Sequence, residues 1–248
     1  MQAFGIDIGG TGIKGAPVDL ETGKLAEARK KIPTPQPATP EAVTEVVREV
    51  VQSFGWTGPV GATFPGVVIG GTVRSAANVD KSWIDTNAAG LFDKALGAGV
   101  TLLNDADAAG VAEMTFGAGK GVKGSVLMLT FGTGVGSALF TDGVLVRNTE
   151  LGHIEIRGKD AEKRASEHGK TAHGWTFKEW TQRVSEYLQH IEALLSPDLI
   201  IVGGGISKEA EKWVPLLTGV RAKIVPATLL NDAGIVGAAM ATTNSASS

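Results

Sequence analysis

Cysteine is absent from this chain, which excludes a disulfide framework, thiolate catalysis and every thiolate-ligated zinc or iron–sulfur site. A surplus of positive charge is absent too. Lys plus Arg number 23 against 26 Asp plus Glu, a net charge of −3. Non-specific nucleic-acid binding needs many phosphate-facing cations, so no nucleic-acid partner is expected. No apolar run approaches the roughly 18 residues of a membrane span, so no membrane partner is expected either. The opening MQAFGIDIGG carries neither a basic leader nor a long apolar stretch, which argues against a signal peptide and predicts a cytoplasmic protein. The signature G-x-x-x-x-G-K-[ST] is also missing, which excludes a P-loop nucleotide site. What remains is a globular chain of 248 residues, 43% apolar and 20% charged, long enough for one large or two modest domains.

Glycine is the residue in excess. There are 34, about twice the ordinary usage of roughly 7%. They cluster at the ends of β-type runs. GGTGIKG follows the run 3–8, GTGVGSALF follows 125–131, and Gly203–Gly205 end the run Leu199–Val202. Glycine in that position marks a backbone that turns sharply or approaches a ligand closely. Gly10–Ala16 aligns without a gap to Gly132–Ala138, which predicts a duplicated domain, each half opening with strand, glycine turn and strand, with a cleft between the halves. Two such turns facing each other would surround one anion with fixed N–H donors. Hairpin turns favour Gly and Thr without any ligand, but a matched pair is harder to explain that way. Gly10, Gly12 and Gly15 also satisfy G-x-G-x-x-G, as do Gly119, Gly121 and Gly124. That dinucleotide fingerprint needs a helix directly after its glycines. A strand and turn follow Gly15, and the second match precedes its strand, so neither reads as a dinucleotide site.

The remaining pattern predicts a helix from Thr39 with Pro40 at its first position, and a small-residue helix beginning beside Asn104–Asp105. Alternation at 153–157 predicts a half-exposed strand that puts His153 and Glu155 on one face. Residues 159–170 read as a charged helix, 176–195 as an amphipathic helix and 233–240 as the last helix. Trp175, Phe177, Trp180 and Tyr187 read as a core or interface stripe, not as a ligand cage.

Five motifs in order carry a resemblance: Asp7-Ile-Gly-Gly-Thr-Gly-Ile-Lys14, Asn104–Asp105, Phe131-Gly-Thr-Gly-Val-Gly136, Glu150-Leu-Gly-His153 and Ile201-Val-Gly-Gly-Gly-Ile-Ser207. With them the chain resembles the ROK sugar kinases of the actin/hexokinase superfamily, from about residue 3 to 240. The resemblance implies an α/β, two-domain, actin/hexokinase-like (ribonuclease H-like) fold with a cleft between duplicated domains. A small domain would hold 1–103 plus 231–248, and a large one 104–230. Within that family the chain is most similar to the polyphosphate glucokinases and polyphosphate/ATP glucomannokinases, through Glu150–His153 leading to Asp160–Ser166 and Tyr187–His190 followed by Ser196–Gly205. Typical ROK kinases carry a Cys-rich zinc motif after the Gly–His. No cysteine stands here, so no zinc is expected, and the polyphosphate branch similarly lacks that motif. ROK repressors place a helix-turn-helix before the first strand; only a few residues precede it in this sequence, so no repressor role is expected.

The resemblance implies phosphoryl transfer from polyphosphate or ATP to the 6-hydroxyl of glucose or mannose. Asp105 would be the catalytic base, aiming that oxygen at the terminal phosphorus; a helix cap is the plainer reading of the same residue. Asn78, Asn104, Asp105, Glu150, His153, Glu162 and Gly66 would bind the sugar, with Glu155 a lesser candidate. Glu162 stands in a charged stretch where a solvated face is the ordinary explanation. Gly9, Gly10, Thr11 and Lys14 would cradle phosphate from one side and Gly132, Thr133 and Gly134 from the other. Gly203, Gly204 and Gly205 would meet the nucleotide, and Asp7 would hold Mg²⁺ through water. A polyphosphate chain needs further cations, for which Lys120, Lys123, Lys81, Arg157, Lys159, Lys163 and Arg164 are candidates. By family analogy alone a homodimer contact could run along 176–195. The rival readings are an ATP-only hexose or N-acetylhexosamine kinase and a non-catalytic sugar sensor.

Overall fold

The computed structural model describes residues 1–76 and 79–244. The apolar opening run forms β1 (Gln2–Ile8), and the glycine turn after it reverses the chain into β2 (Ile13–Asp19). The short strands β3 (Lys24–Leu25) and β4 (Lys30–Ile32) follow. Helix α1 (Pro40–Gln52) starts as its sequence dictates. Thr39 is extended and its side chain accepts from the Ala42 N–H, and Pro40, with no N–H to leave unpaired, takes the first position. Next come β5 (Val60–Phe64), the small hairpin of β6 (Val68–Ile69) and β7 (Thr72–Val73), α2 (Ala88–Leu96), β8 (Val100–Asn104) and α3 (Asp105–Phe116).

The plan then repeats. β9 (Ser125–Phe131) meets the second glycine turn and reverses into β10 (Val135–Thr141), followed by β11 (Val144–Val146). Two expectations fail in the next stretch. The half-exposed strand at 153–157 is only β12 (Glu155–Ile156), paired with β13 (Lys159–Asp160), and His153 sits in a preceding 3-10 turn, so Glu155 and His153 do not share a strand face. The charged helix at 159–170 is broken into α4 (Glu162–Ala165) and α5 (Glu167–Ala172), because Ser166 turns extended and caps the second piece through Gly169 N–H. Helix α6 (Phe177–Leu195) opens with a reciprocal cap, Thr176 to Glu179 and back. β14 (Leu199–Gly203), α7 (Ala210–Trp213), β15 (Lys223–Pro226) and α8 (Ala233–Asn244) complete the order.

Two compact units result, Met1–Ala112 with the segment returning from Asp232, and Glu113–Asn231. The sequence places the break before Asn104; here it falls inside α3. The alanines Ala106, Ala108, Ala109 and Ala112 are buried with the first unit, whereas Glu113 bonds to the backbone of residues 118, 228 and 229. The two main sheets share one topology: β3-β2-β1-β5-β8 in the first unit and β11-β10-β9-β14-β15 in the second. In each, an antiparallel hairpin lies beside two parallel strands. The registers also explain the repeat in the sequence. Ile8 pairs with Ile13 around Gly9–Gly12, and Phe131 pairs with Val135 around Gly132–Gly134, so Gly9 is the one residue the first turn has in addition.

Each unit has its own core. In the first, Phe4, Ile6, Val47, Val50, Phe64, Trp83 and Phe92 pack together. In the second, Phe131, Trp180 and Trp213 form an edge-to-face triad with centroids 5.0–5.9 Å apart. The covering helix of the first sheet, α8, lies so close to β5 that a Cβ on Gly61 would stand on the Ala238 carbonyl oxygen. Only glycine permits that approach. Among the described residues no helix is long and apolar enough to cross a membrane.

Candidate active site

Asp7 is the penultimate residue of β1, beside the first glycine turn. Its Oδ2 lies 2.8 Å from Lys14 Nζ, and its Oδ1 accepts from the Thr63 hydroxyl at 3.1 Å. Thr63 Oγ1 in turn accepts from Ile8 N–H, so β5 fixes the carboxylate from below. Gly234, in the first turn of α8, abuts the same carboxylate; a Cβ there would be 2.9 Å from Asp7 Cγ. A helix N-terminus favours a negative group at that point. The turn itself is tied by Gly9 N–H to Gly12 C=O at 3.1 Å, and the Thr34 hydroxyl donates to Gly9 C=O. Gly10 is partly exposed and Thr11 is exposed.

At the carboxyl end of β8 the capping question resolves in favour of Asn104. Its Oδ1 accepts from Ala106 N–H at 2.8 Å and Asp107 N–H at 3.1 Å, and its Nδ2 donates to Gly66 C=O at 3.1 Å. The amide thereby joins the helix start to the Phe64–Gly66 turn. Asp105 is the first residue of α3, partly exposed, with Oδ1 accepting from Ala106 N–H. Asn78 lies outside the described residues.

The second unit gathers another group. Glu162 Oε2 accepts from Val135 N–H at 3.2 Å, and its carboxylate occupies the space a Cβ on Gly134 would fill. It therefore belongs to the second glycine turn, not to a solvated face. His153 has Nε2 3.8 Å from Glu150 Oε2, and Nδ1 3.9 Å from Asp160 Oδ2 and 4.0 Å from Glu162 Oε1. His153, Asp160 and Glu162 bring ligand atoms within 4.8 Å of one another, close enough to share a cation among the described residues. Gly132 C=O accepts from His168 N–H at 3.0 Å, which pins the turn to α5. Gly203 ends β14, the parallel neighbour of β9, and pairs with Thr130. Gly204 lies against the Phe131 backbone and Gly205 against Glu167. The second glycine turn, Thr133 included, and the glycine triplet thus sit together at the carboxyl ends of adjacent strands, where open α/β sheets bind ligands.

Burial pushes the Glu150 carboxyl above the usual carboxylate range; the Glu162 charge adds to the rise and His153 opposes it. A carboxyl raised on folding favours the protonated native state, so its stabilising contribution is complete below the unfolded value and fades as pH rises through the folded one. Glu150→Gln is therefore expected to raise the Tm at neutral pH and not in acid, as thermal denaturation across pH would measure.

Some expected cations are elsewhere. Lys120 and Lys123 precede β9, whereas the turn follows it, and seven residues at roughly 3.3 Å each separate the two ends by about 23 Å. Arg157 and Arg164 both pair with Glu186, at 2.6 and 3.0 Å, and Lys163 lies 3.7 Å from Asp160. Lys81 and Lys159 are exposed. Trp175 lies between the His173 ring, at 4.3 Å, and the Arg183 guanidinium, at 3.7 Å, so both its faces are covered.

Sequence reasoning missed Thr63, Thr34, Asp160 and Glu113. Glu113 is fully buried and accepts from Ala118, Thr228 and Leu229 N–H at 2.7–2.8 Å, anchoring the loop that leads from β15 toward α8. Glu113→Gln presents an amide N–H₂ where an acceptor is needed, and a loss of about 2 kcal/mol is expected in chemical denaturation. No motif marks Thr63, Thr34 or Glu113, and Asp160 opens a stretch that carries the resemblance without a role of its own there; their roles arise from contacts made across the fold.

Duplicated hairpin-and-parallel sheets, each ending in a glycine turn beside carboxylates, define a two-domain α/β fold of the actin and hexokinase kind. The ROK family model matches residues 3–171, and the chain belongs to the ROK family. It is 58% identical over 241 residues to a polyphosphate glucokinase of Mycobacterium tuberculosis, covering 97% of this chain and 91% of that protein. The crystal structure of an inorganic polyphosphate/ATP-glucomannokinase from an Arthrobacter species superposes with a TM-score of 0.95 at 52% identity, covering 98% of this chain and 99% of that one. A ROK glucokinase from Streptomyces griseus, solved with glucose and AMPPNP, gives a TM-score of 0.83 at 26% identity, covering 98% of this chain and all of that one.

Proposed function

We propose that this protein transfers the terminal phosphoryl group of inorganic polyphosphate or ATP to the 6-hydroxyl of glucose, and of mannose as a second acceptor. The observation that carries the reading is the near full-length, 58% identity to a polyphosphate glucokinase. The site chemistry agrees with it. Asp105 takes the proton of the 6-hydroxyl as its oxygen bonds to the terminal phosphorus and the bridging P–O bond of the donor breaks, leaving the donor one phosphate shorter. The transition state of such a transfer is loose, so orienting the oxygen matters more than the strength of the base.

Asn104 and Gly66 place Asp105. Gly9 and Gly132 close the two turns through their own N–H groups, and the backbone N–H groups of residues 10–12 and 133–134 are offered to phosphate oxygens. Glu150, His153 and Glu162 supply the fixed acceptors and donors that vicinal sugar hydroxyls need, and Gly203–Gly205 admit a nucleotide close to the backbone. Asp7 fits magnesium held through water. Both its oxygens are already engaged by Lys14 and Thr63, which suits an outer contact and not direct ligation. Magnesium, when bound, would neutralise donor phosphate charge. The domains proposed with this reading are 1–103 plus 231–248 and 104–230.

The test is to offer glucose and mannose, each with ATP and with polyphosphate, and to measure hexose 6-phosphate. Product with polyphosphate supports the reading. Sugar binding without product from either donor favours a sensor instead.

A further inference from the structure

We infer that Lys31 is a donor-binding residue, reaching over the first glycine turn to contact phosphates behind the one transferred; this rests on the kinase reading above. The register places it. Asp7 pairs with Lys14 across β1 and β2, and Lys14 pairs with Lys31 across β2 and β4. Directly paired residues present their side chains on the same face, so Asp7, Lys14 and Lys31 form one row across three strands, beside the turn Gly9–Gly12.

The side chain leans along its strand toward that turn. A Cβ on Gly12 would stand 2.5 Å from Lys31 Cε and 3.5 Å from its Nζ. The stem therefore passes over Gly12, and the missing Cβ is what leaves it room. Its neighbours in the same basic run are already neutralised: Arg29 pairs with Asp232 and Lys30 with Glu49. Lys31 has no ion pair among the described residues and is exposed.

Charge completes the argument. Lys14 is bound to Asp7, so that pair adds no net charge beside the turn. Of the basic residues named here, Lys14, Arg29 and Lys30 are paired, which leaves Lys31 to bring positive charge to the rim of the turn. A sugar hydroxyl is neutral and gains little from an ammonium there, whereas a polyanion next to backbone N–H groups gains a charge-assisted hydrogen bond. ATP has a base and ribose as further anchors and polyphosphate has only its charges, so polyphosphate depends on this cation more.

The test compares Lys31→Met, Lys31→Arg and Lys30→Met, the last removing an equal charge from the adjacent position on the opposite face. Lys31→Met is expected to raise the KM for polyphosphate about tenfold, with a smaller rise for ATP and no change in the glucose KM or the Tm. Lys31→Arg retains most of the affinity, and Lys30→Met resembles wild type. The slope of log KM against log salt becomes shallower by up to about one, as for one deleted cation–phosphate contact. Calorimetric titration with polyphosphate alone reads the same loss without turnover. Unchanged polyphosphate binding and KM in Lys31→Met, or an equal loss in Lys30→Met, would overturn the assignment. Wild-type protein that binds polyphosphate through Lys31 yet phosphorylates no sugar would sink the kinase reading and keep the anion contact.

Discussion

Asp105→Asn is expected to lower kcat for hexose phosphorylation by about 10²- to 10⁴-fold, the range associated with a positioned general base, while leaving glucose affinity within a few-fold. The substitution isolates the proton from the fold. Capping of α3 rests on Asn104, whose Oδ1 takes both the Ala106 and Asp107 N–H groups, and an asparagine at 105 keeps an oxygen for Ala106 N–H. Stability should therefore stay close to wild type. What disappears is a group able to accept the hydroxyl proton as the O–P bond forms. Steady-state kinetics with a calorimetric glucose titration separates the two quantities. An unchanged kcat would remove Asp105 from the chemistry and return it to the helix start as a purely structural residue.

Gly61→Ala is expected to cost about 3 kcal/mol or more, at or beyond the upper end of what overpacking a core imposes. The added methyl would stand on the Ala238 carbonyl oxygen of α8, and Gly5 faces Ile235 of the same helix in the same way. The clash is with backbone, so no rotamer change relieves it; α8 must move off the sheet. That movement reaches the site, since Gly234, one turn before Ala238 in α8, abuts the Asp7 carboxylate. Loss of stability and a raised donor KM should therefore appear together. Gly99→Ala is the control. Nothing lies within 4 Å of where its Cβ would stand, and a change within about 0.5 kcal/mol is expected. Equal Tm values for Gly61→Ala and Gly99→Ala would contradict the close approach.

The duplicated plan was legible because both glycine turns follow apolar runs and lead into strands of matching length, a pattern that local chemistry alone imposes. Helix α1 was legible for a similar reason: Thr39 and Pro40 signal its start and its valines recur at helical spacing. The middle of the second unit was not. Between 150 and 172 the chain changes direction every few residues, and alternation around His153 resembles a strand where a 3-10 turn stands. Around the candidate site, the glycine turns and the helix start at Asn104–Asp105 were readable, because a local motif sets their shape. Glu162 was harder, because its meaning comes from Val135 N–H and the empty side of Gly134, 27 and 28 positions away in the chain. Lys120 and Lys123 misled for the opposite reason. They are near the second turn in sequence, but the whole of β9 stands between.

The most direct measurement is phosphorus NMR of the purified protein with glucose, magnesium and long-chain polyphosphate. The account predicts a growing glucose 6-phosphate resonance, one phosphoryl lost from the polymer for each sugar phosphate formed, with no matching release of orthophosphate. Polyphosphate that stays intact beside unmodified glucose, or that breaks down to orthophosphate without sugar phosphate, would contradict direct transfer to the 6-hydroxyl.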